Sequence, residues 1–488
     1  MNIKSLKRAL KQSHIISTAF YYGRQCAAHR SAGKRGSDVI VHQSPNAPCR
    51  MRVAVICDEM TWRNCISVFS ETFFLTPNNW KETLHTYKPQ LLFCESAWEG
   101  IDAYRYIWCG GIFRNHRVLY EHRGALLGIL KDCREAQIPT VFWNKEDPAY
   151  FGDPLCDFTD TALRFDHIFT TAEECVEAYR ARGHKSVHVM PFGFSPRLFH
   201  PLGRNARAEG AVFTGSWFPE NAQRCADVRR VFDYLKQQRI PLTIFDRQMS
   251  PGGRSSFPAE YLGMVQPALP YEKMGEVYRT FSIGVNVNTV KESRSMFARR
   301  VYEMMACALP IVSNASTGLK KRFGDRIAFA GEENTRIPTD ETAHELLREV
   351  FLCDTFDSRM QQMLEVIGLD AQSTMPEVDV FCVGSEAKEH FDRIDWPAKR
   401  LIPVQDEAEL KTAISRMSGD YGIILNAQSA CPDIRFYMTQ FAFLPQSCGV
   451  GSAGRRYAVE TTAEYVDTLW PRMTLTENLL GEKLRYTA

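Results

Sequence analysis

The sequence contains no apolar run near the roughly 20 residues that a membrane-spanning helix needs; Gly124–Leu130 is typical of its longer stretches, so no segment is expected to cross a bilayer. Nor does charge lean to one sign. Lys and Arg number 59 against 57 Asp and Glu, a formal charge of +2, which excludes a global field that would draw the chain to nucleic acid. None of the 15 cysteines forms a CxxC pair, and no signal-peptide pattern precedes them, so they read as reduced thiols of a cytoplasmic chain rather than as disulfides or zinc ligands. A P-loop, a GxGxxG after a strand, HExxH and GxSxG are missing as well. Any chemistry must therefore come from clusters of side chains at strand ends.

At 488 residues, with 44% hydrophobic and 24% charged, the chain is long enough for two or three globular domains. Its basic charge is local. Residues 1–50 hold nine Lys or Arg and one acid, Asp38. In residues 1–25, Ile3, Leu6 and Leu10 recur at near-helical spacing between Lys4, Lys7, Arg8 and Lys11. That pattern suits peripheral contact with an anionic membrane, and equally a solvated basic helix leading into the Gly/Ser/Pro-rich linker 31–50.

From Met51 onward, short apolar runs alternate with helical stretches, the pattern of an α/β chain with mostly parallel sheets. Strands are expected at Arg52–Cys57, Leu91–Cys94, Thr140–Trp143, His167–Phe169 and Val187–Met190. A second series follows at Ala211–Thr214, Leu242–Phe245, Ile283–Val287, Pro310–Ser313 and Ile327–Phe329, and a third begins at Val378. The expected division is an extension and linker over 1–50, domains over 51–203 and 204–370, and an accessory domain over 376–488. Two doubly wound domains on one linker leave a cleft at the carboxyl ends of their strands, where ligands of such folds bind.

The candidate site residues lie at those ends. In SRSMFARRVYE (293–303), a helix expected to begin near Ser295 would aim its free amides at a diphosphate, with Arg299 and Arg300 adding bidentate contacts and Glu303 accepting ribose hydroxyls. The plainer alternative is an exposed Arg299–Glu303 pair four residues apart. Gly215 and Ser216 in FTGSW, Arg247 in IFDR and Asn286 in IGVNVN point at the same cleft. On the first domain, Asp58, Glu95, Glu146 and Asp147 follow strands, where a carboxylate serves either as general base or as a helix cap. Trp98 and Trp143 beside them would stack on a sugar ring or fill a core.

The segments LLFCESAWEG (91–100), IPTVFWNKEDPAYF (138–151), FDHIFTTAEECVEAY (165–179), VMPFGFSPRLFHP (189–201), FTGSW (213–217) and SRSMFARRVYEMMACALPIVSN (293–314) resemble the CgeB-like, spore-maturation-protein type glycosyltransferases, in order, over roughly residues 51–350. The resemblance implies a GT-B fold: two Rossmann-like domains with a facing cleft, the acceptor mainly on the first and the sugar donor mainly on the second. It implies metal-independent transfer without a cofactor. Arg300 and Glu303 match the donor motif R-x-F/Y-E, Glu95, Lys145, Glu146 and Asp147 match first-domain cleft motifs, and Asn314 and Ser316 match the loop before the next donor-side helix. Two departures stand out. Related retaining enzymes carry two glutamates eight positions apart, and the first position is Ser295 here; a family glycine is Ala308. The tail 378–488 resembles a degenerate GT-A-like segment whose strand YGIILN (421–426) runs into Asn426, Ala427 and Gln428, with no carboxylate pair for a metal, and Cys448–Gly454 reads as a flexible turn.

The implied function is transfer of a sugar from a nucleotide-diphosphate donor to a surface-polysaccharide or teichoic-acid-type acceptor. Arg247 and Arg300 would stabilise the leaving diphosphate, and Glu303 would hold the ribose. The base is expected among Asp58, Glu95 and Glu146, with Glu95 favoured, while Trp98, Trp143, Lys145 and Asp147 belong to the acceptor side. Two alternatives remain open: a non-catalytic carbohydrate-binding or assembly protein on the same fold, and a transferase using phosphoribosyl diphosphate.

Overall fold

The computed structural model describes residues 38–202, 208–371, 375–444, 448–453, 456–460 and 467–480, together with residue 23. The rest of the basic segment 1–25 lies outside the described residues. Three sheets organise the chain, one for each series of strands.

The first has seven strands: β1 (Ile40–Gln43), β2 (Cys49–Ile56), β3 (Phe69–Phe74), β4 (Leu91–Glu95), β5 (Thr140–Asn144), β6 (His167–Thr170) and β7 (Val187–Val189), in the order β1-β3-β2-β4-β5-β6-β7. All neighbours are parallel except β1, which pairs antiparallel with β3 through Ile40–Phe74 and Gln43–Glu71. The sheet thus extends into the stretch read as linker, because alternating burial along Ile40–Gln43 suits an edge strand. β4 (LLFCE) and β5 (TVFWN) are buried at every position, as expected of parallel strands covered by helices on both faces. The chain winds from β2 to β3 on one side and then to β4 on the other, so the switch point lies between β2 and β4.

The second sheet is wholly parallel: β8 (Ala208–Thr214), β9 (Leu242–Phe245), β10 (Val265–Gln266), β11 (Phe281–Asn286), β12 (Ile311–Ser313) and β13 (Ala328–Phe329), ordered β10-β9-β8-β11-β12-β13. Its switch point falls between β8 and β11. The two bodies are joined twice. Besides the linker near residue 200, the chain returns at residues 354–356, where Phe194 N–H donates to Asp354 O (3.3 Å) and Phe356 N–H to Phe194 O (2.7 Å). The helix Phe356–Val366 then buries Phe356, Met360, Met363 and Leu364 in the first core, although the sequence reading kept this stretch with the second. At the crossing a Cβ on Gly193 would stand 2.9 Å from Asp354 O, so glycine is required for the close approach.

The third sheet is mixed: β14 (Val378–Val383), β15 (Lys399–Val404), β16 (Tyr421–Leu425), β17 (Gly449–Ala453), β18 (Arg456–Glu460) and β19 (Leu469–Pro471), ordered β15-β14-β16-β19-β17-β18. Gly449–Ala453 is a paired strand, not the flexible turn expected from its glycines, because β18 and β19 satisfy its backbone from both sides. This body leans on the second: Phe351 of the helix Asp340–Cys353 meets Phe436 edge-on at 6.3 Å, and His200 stacks on Phe443 at 4.5 Å. Among the described residues, no helix is long and apolar enough to cross a membrane.

Candidate active site

At the β8 and β11 switch point, the second body gathers Gly215, Ser216, Arg247 and Asn286 with Arg299, Arg300 and Glu303. The Arg300 guanidinium lies over the Phe213 ring, 5.7 Å from its centroid. Gly215 makes that placement possible, since a Cβ there would fall 2.5 Å from Phe213 Cζ and 2.9 Å from Arg300 Nη1. Arg299 covers Phe192 at 5.1 Å and reaches Thr61 Oγ1 of the first body at 3.5 Å. Arg299 and Glu303 are both buried, so the exposed-pair alternative fails.

The helix begins at Arg300 and runs only to Ala306, correcting the start expected near Ser295. Residues 293–298 are held in turns by side chains that compete for the backbone: Met296 N–H donates to Ser293 Oγ (3.0 Å) and Ala298 N–H to Asn288 Oδ1 (2.9 Å). Ser295 donates to Thr171 O (2.9 Å) and accepts from Glu173 N–H (2.8 Å), tying this loop to the first body. No helix amides are therefore aimed at the cleft from residue 295.

Those side chains include one that the sequence reading missed. Arg224 occupies the first turn of the helix Ala222–Gln237, which Asn221 caps. Its Nη1 donates to Val287 O (3.1 Å) and Thr289 Oγ1 (3.3 Å), across the switch point. An arginine in the first turn of the helix that follows FTGSW was the available signal. Arg224, Arg247, Arg299 and Arg300 converge closely enough to feel one another's charge, and among the described residues none forms an ion pair. Burial, then the like charge of Arg247, lowers the Arg224 pKa; crowding by protein and then Arg300 do the same to Arg247, although that residue is exposed at the surface. Arg224 Nε, Arg299 Nη1, Arg300 Nη1, Ser216 Oγ and Asn286 Oδ1 are all buried without a hydrogen-bond partner. Buried guanidinium nitrogens without acceptors are costly, and these nitrogens with the Ser216 hydroxyl fit a ligand carrying several negative oxygens, which the Asn286 carbonyl oxygen does not.

Glu303 is the acid among these arginines. Burial raises its pKa against the pull of Arg299, Tyr271, Arg300 and Arg247, and Tyr271 Oη donates to its Oε1 at 2.7 Å. The remaining donor-side residues shape loops. Asn286 Nδ2 donates to Ser313 Oγ (3.0 Å), Asn314 exchanges two hydrogen bonds with the Asn288 backbone, and Ser316 caps the helix Thr317–Phe323.

Across the cleft, Asp58 and Glu95 meet at the β2 and β4 switch point. Lys145 Nζ donates to Asp58 Oδ2 (2.8 Å) and Glu95 Oε1 (3.1 Å). Asp58 also accepts the amides of Trp98, Glu99 and Gly100, and Glu95 accepts the Asp58 amide and the Thr61 hydroxyl. Burial would push the Asp58 carboxyl up, but Lys145 and these amides outweigh it and hold the pKa below its ordinary value. Burial would lower Lys145, whereas the two carboxylates raise it. Glu95 is fully buried with both oxygens engaged, Oε1 by the Asp58 amide and Lys145 and Oε2 by Thr61, which sets the favoured base away from solvent, and Lys145 is spent on the same pair.

Glu146 differs. It is half-buried, with the Trp98 indole within hydrogen-bonding reach, and burial raises its pKa. Trp98 sits among Phe113, Tyr150 and Phe158. Trp143 is not an acceptor platform. Its ring is wholly buried among Phe93, Phe192 and Phe356, and its indole N–H goes to Met190 O (3.0 Å), because β5 is covered on both faces. Asp147 likewise belongs to the interior, bonded by Asn144, Thr170 and Tyr179, with burial pushing its pKa up to about 7. Among the described residues, no group of three or more His, Cys, Asp or Glu is placed to hold a metal ion.

Residues 229–351 match the family model described as "Glycosyl transferase-like". No curated protein matches the chain. Among solved structures, the chain is similar to AviGT4, a glycosyltransferase involved in avilamycin A biosynthesis, at 12% identity over 65% of this chain and 96% of that one, with a TM-score of 0.34. An α-glucosyltransferase in complex with UDP and a 13-mer DNA containing an HMU base gives 11%, 65%, 100% and 0.41, and TarM gives 8%, 58%, 52% and 0.29. These likenesses are too distant to carry residue-by-residue roles. Residues 229–351 are thus similar to a glycosyltransferase-like family model, within an α/β architecture of one wholly parallel and one mostly parallel sheet.

Proposed function

We propose that the chain transfers a sugar from a nucleoside-diphosphate donor to a hydroxyl of a surface-polysaccharide or teichoic-acid-type acceptor, as the CgeB-like enzymes it resembles are expected to do. The observation that carries this reading is the set of four arginines at the second switch point, Arg224 and Arg299 buried, Arg300 half-buried and Arg247 exposed, without ion pairs among the described residues and beside the unpartnered Ser216 hydroxyl. Such a site suits a diphosphate, and its arginines would meet the charge that a metal supplies in other transferases. Glu303, four residues beyond Arg299, is suited to ribose hydroxyls. In the displacement, the acceptor oxygen bonds the anomeric carbon as the bond from that carbon to the phosphate oxygen breaks. The hydroxyl proton passes to a base, and the departing diphosphate keeps the electron pair.

Glu146 is the better base on this reading, being half-exposed with a raised pKa, while Asp58 and Glu95 are held by Lys145. Ser295, with its hydroxyl bonded to the first body, supplies no carboxylate of the retaining kind, which favours inversion.

The test is thermal stabilisation of the purified chain by UDP, GDP, CDP and phosphoribosyl diphosphate, followed by donor hydrolysis or transfer. A ligand at 100 times its Kd adds about 2.7 kcal/mol of stability. Stabilisation by one nucleoside diphosphate, with turnover abolished by Arg300→Ala, is expected. Binding without turnover would support a non-catalytic binding protein, a response to phosphoribosyl diphosphate alone would change the donor, and no response to any of them would overturn the reading.

A further inference from the structure

The contact that joins the donor carboxylate to the opposite domain is made by a residue with no assigned part in the site. Tyr271 lies between β10 and β11, and its hydroxyl donates to Glu303 Oε1 at 2.7 Å. The same oxygen accepts from Asn64 Nδ2 at 3.0 Å. Asn64 belongs to the first-body helix Glu59–Cys65, where its Nδ2 also donates to Met60 O (2.6 Å) and its Oδ1 is buried without a partner. One turn earlier on that helix, Thr61 donates to Glu95 and is reached by Arg299. A hydrogen-bonded path therefore runs from Glu303 through Tyr271 to Asn64, and a neighbouring one runs from Arg299 through Thr61 to the Glu95–Lys145 pair.

We propose that Tyr271 is a positioning residue for the donor nucleoside: its hydroxyl fixes the Glu303 carboxylate toward the ribose and, through Asn64, makes that orientation depend on the two bodies being closed on each other. This deepens the transferase reading and rests on it. The phenol is suited to the task because one hydroxyl donates to the carboxylate while accepting from the amide, whereas phenylalanine keeps the ring and its packing against Phe199 (5.6 Å) and loses both bonds. Glu303 would then keep its burial but lose the donor that orients it. The diphosphate would sense the change less, through Arg299, which Tyr271 also touches, while Arg224, Arg247 and Arg300 hold it independently of that hydroxyl.

The experiment compares wild type, Tyr271→Phe, Asn64→Leu and the double variant, binding the stabilising nucleoside diphosphate and, separately, inorganic pyrophosphate. Tyr271→Phe should weaken the nucleoside diphosphate at least tenfold and pyrophosphate less than twofold. Asn64→Leu should act in the same direction with smaller effect, and the double variant should be no worse than Tyr271→Phe alone, because both act through one hydroxyl. In turnover, the loss should appear in the KM for donor more than in kcat. Equal loss of both ligands, or nucleoside-diphosphate affinity within twofold of wild type, overturns the role of Tyr271. Absence of nucleoside-diphosphate binding by the wild type would instead overturn the transferase reading itself.

Discussion

Gly215 and Arg300 compete for one space: the volume that a side chain at 215 would occupy is the volume in which the Arg300 guanidinium rests against Phe213. The glycine at the end of β8 therefore does more than turn the chain. It lets a buried cation approach the strand end at the switch point, where the arginines Arg224, Arg247 and Arg299 also converge.

Gly215→Ala should weaken nucleoside-diphosphate binding by about tenfold or more, equivalent to ~1.4 kcal/mol, and should lower the melting temperature as well, because the new Cβ presses on the buried Phe213 ring. Calorimetric titration beside a melting curve checks it. Wild-type affinity in the alanine variant would show that Arg300 can move aside without consequence for the anion site.

Lys145→Met leaves Asp58 and buried Glu95 without their cation, and breaking such a pair costs about 3–5 kcal/mol. The pH dependence fixes the sign. Asp58 is held below its ordinary pKa in the fold, so its stabilisation is present above the unfolded value and disappears as pH falls through the folded one. The gap between variant and wild type should be widest near neutrality and shrink under acid, as followed by denaturant unfolding at several pH values. A gap independent of pH would mean that Lys145 acts by packing alone.

Trp143→Leu should destabilise the first body by about 3 kcal/mol or more, through the cavity left between Phe93, Phe192 and Phe356. In the protein that remains folded, the KM for acceptor should stay within twofold of wild type. A selective rise in that constant would return the indole to the acceptor site.

Glu146→Gln should reduce kcat by about 100-fold or more while leaving nucleoside-diphosphate affinity unchanged. Because burial raises the Glu146 pKa, a base at this position loses activity as pH falls through a value above the ordinary carboxylate range. That acidic limb should be present in wild-type kcat/KM and missing from the variant. An unaltered profile would move the base elsewhere.

Much of this architecture was legible because parallel strands buried on both faces appear as uninterrupted apolar runs, and the ends of those runs are where Gly215, Arg247, Asn286, Asp58 and Glu95 lie. Arg300 and Glu303 were legible only through the resemblance of RVYE to a donor motif, since their spacing alone suits an exposed pair equally well. Trp143, expected on the acceptor side, lies in the core instead, and its place inside the mostly apolar run TVFWN was the signal against that expectation. By contrast, the fate of Ser295 depended on Asn288 and Ser293 holding the loop in turns, a competition between side chain and helix that spacing does not reveal. Tyr271 lay beyond reach altogether, because its partner Asn64 is 207 positions away and only the docking of two bodies brings them together. Lys145 drew attention as part of a motif, but its pairing with two carboxylates from different strands is a property of the sheet.

The return of the chain at residues 354–356, with Phe356–Val366 seated in the first core, gives the two halves a pair of tethers instead of one. A nick in the linker near residue 202 would therefore not release either half. The Phe194–Asp354 junction, where both crossings are hydrogen-bonded to each other, ties the two halves at one place.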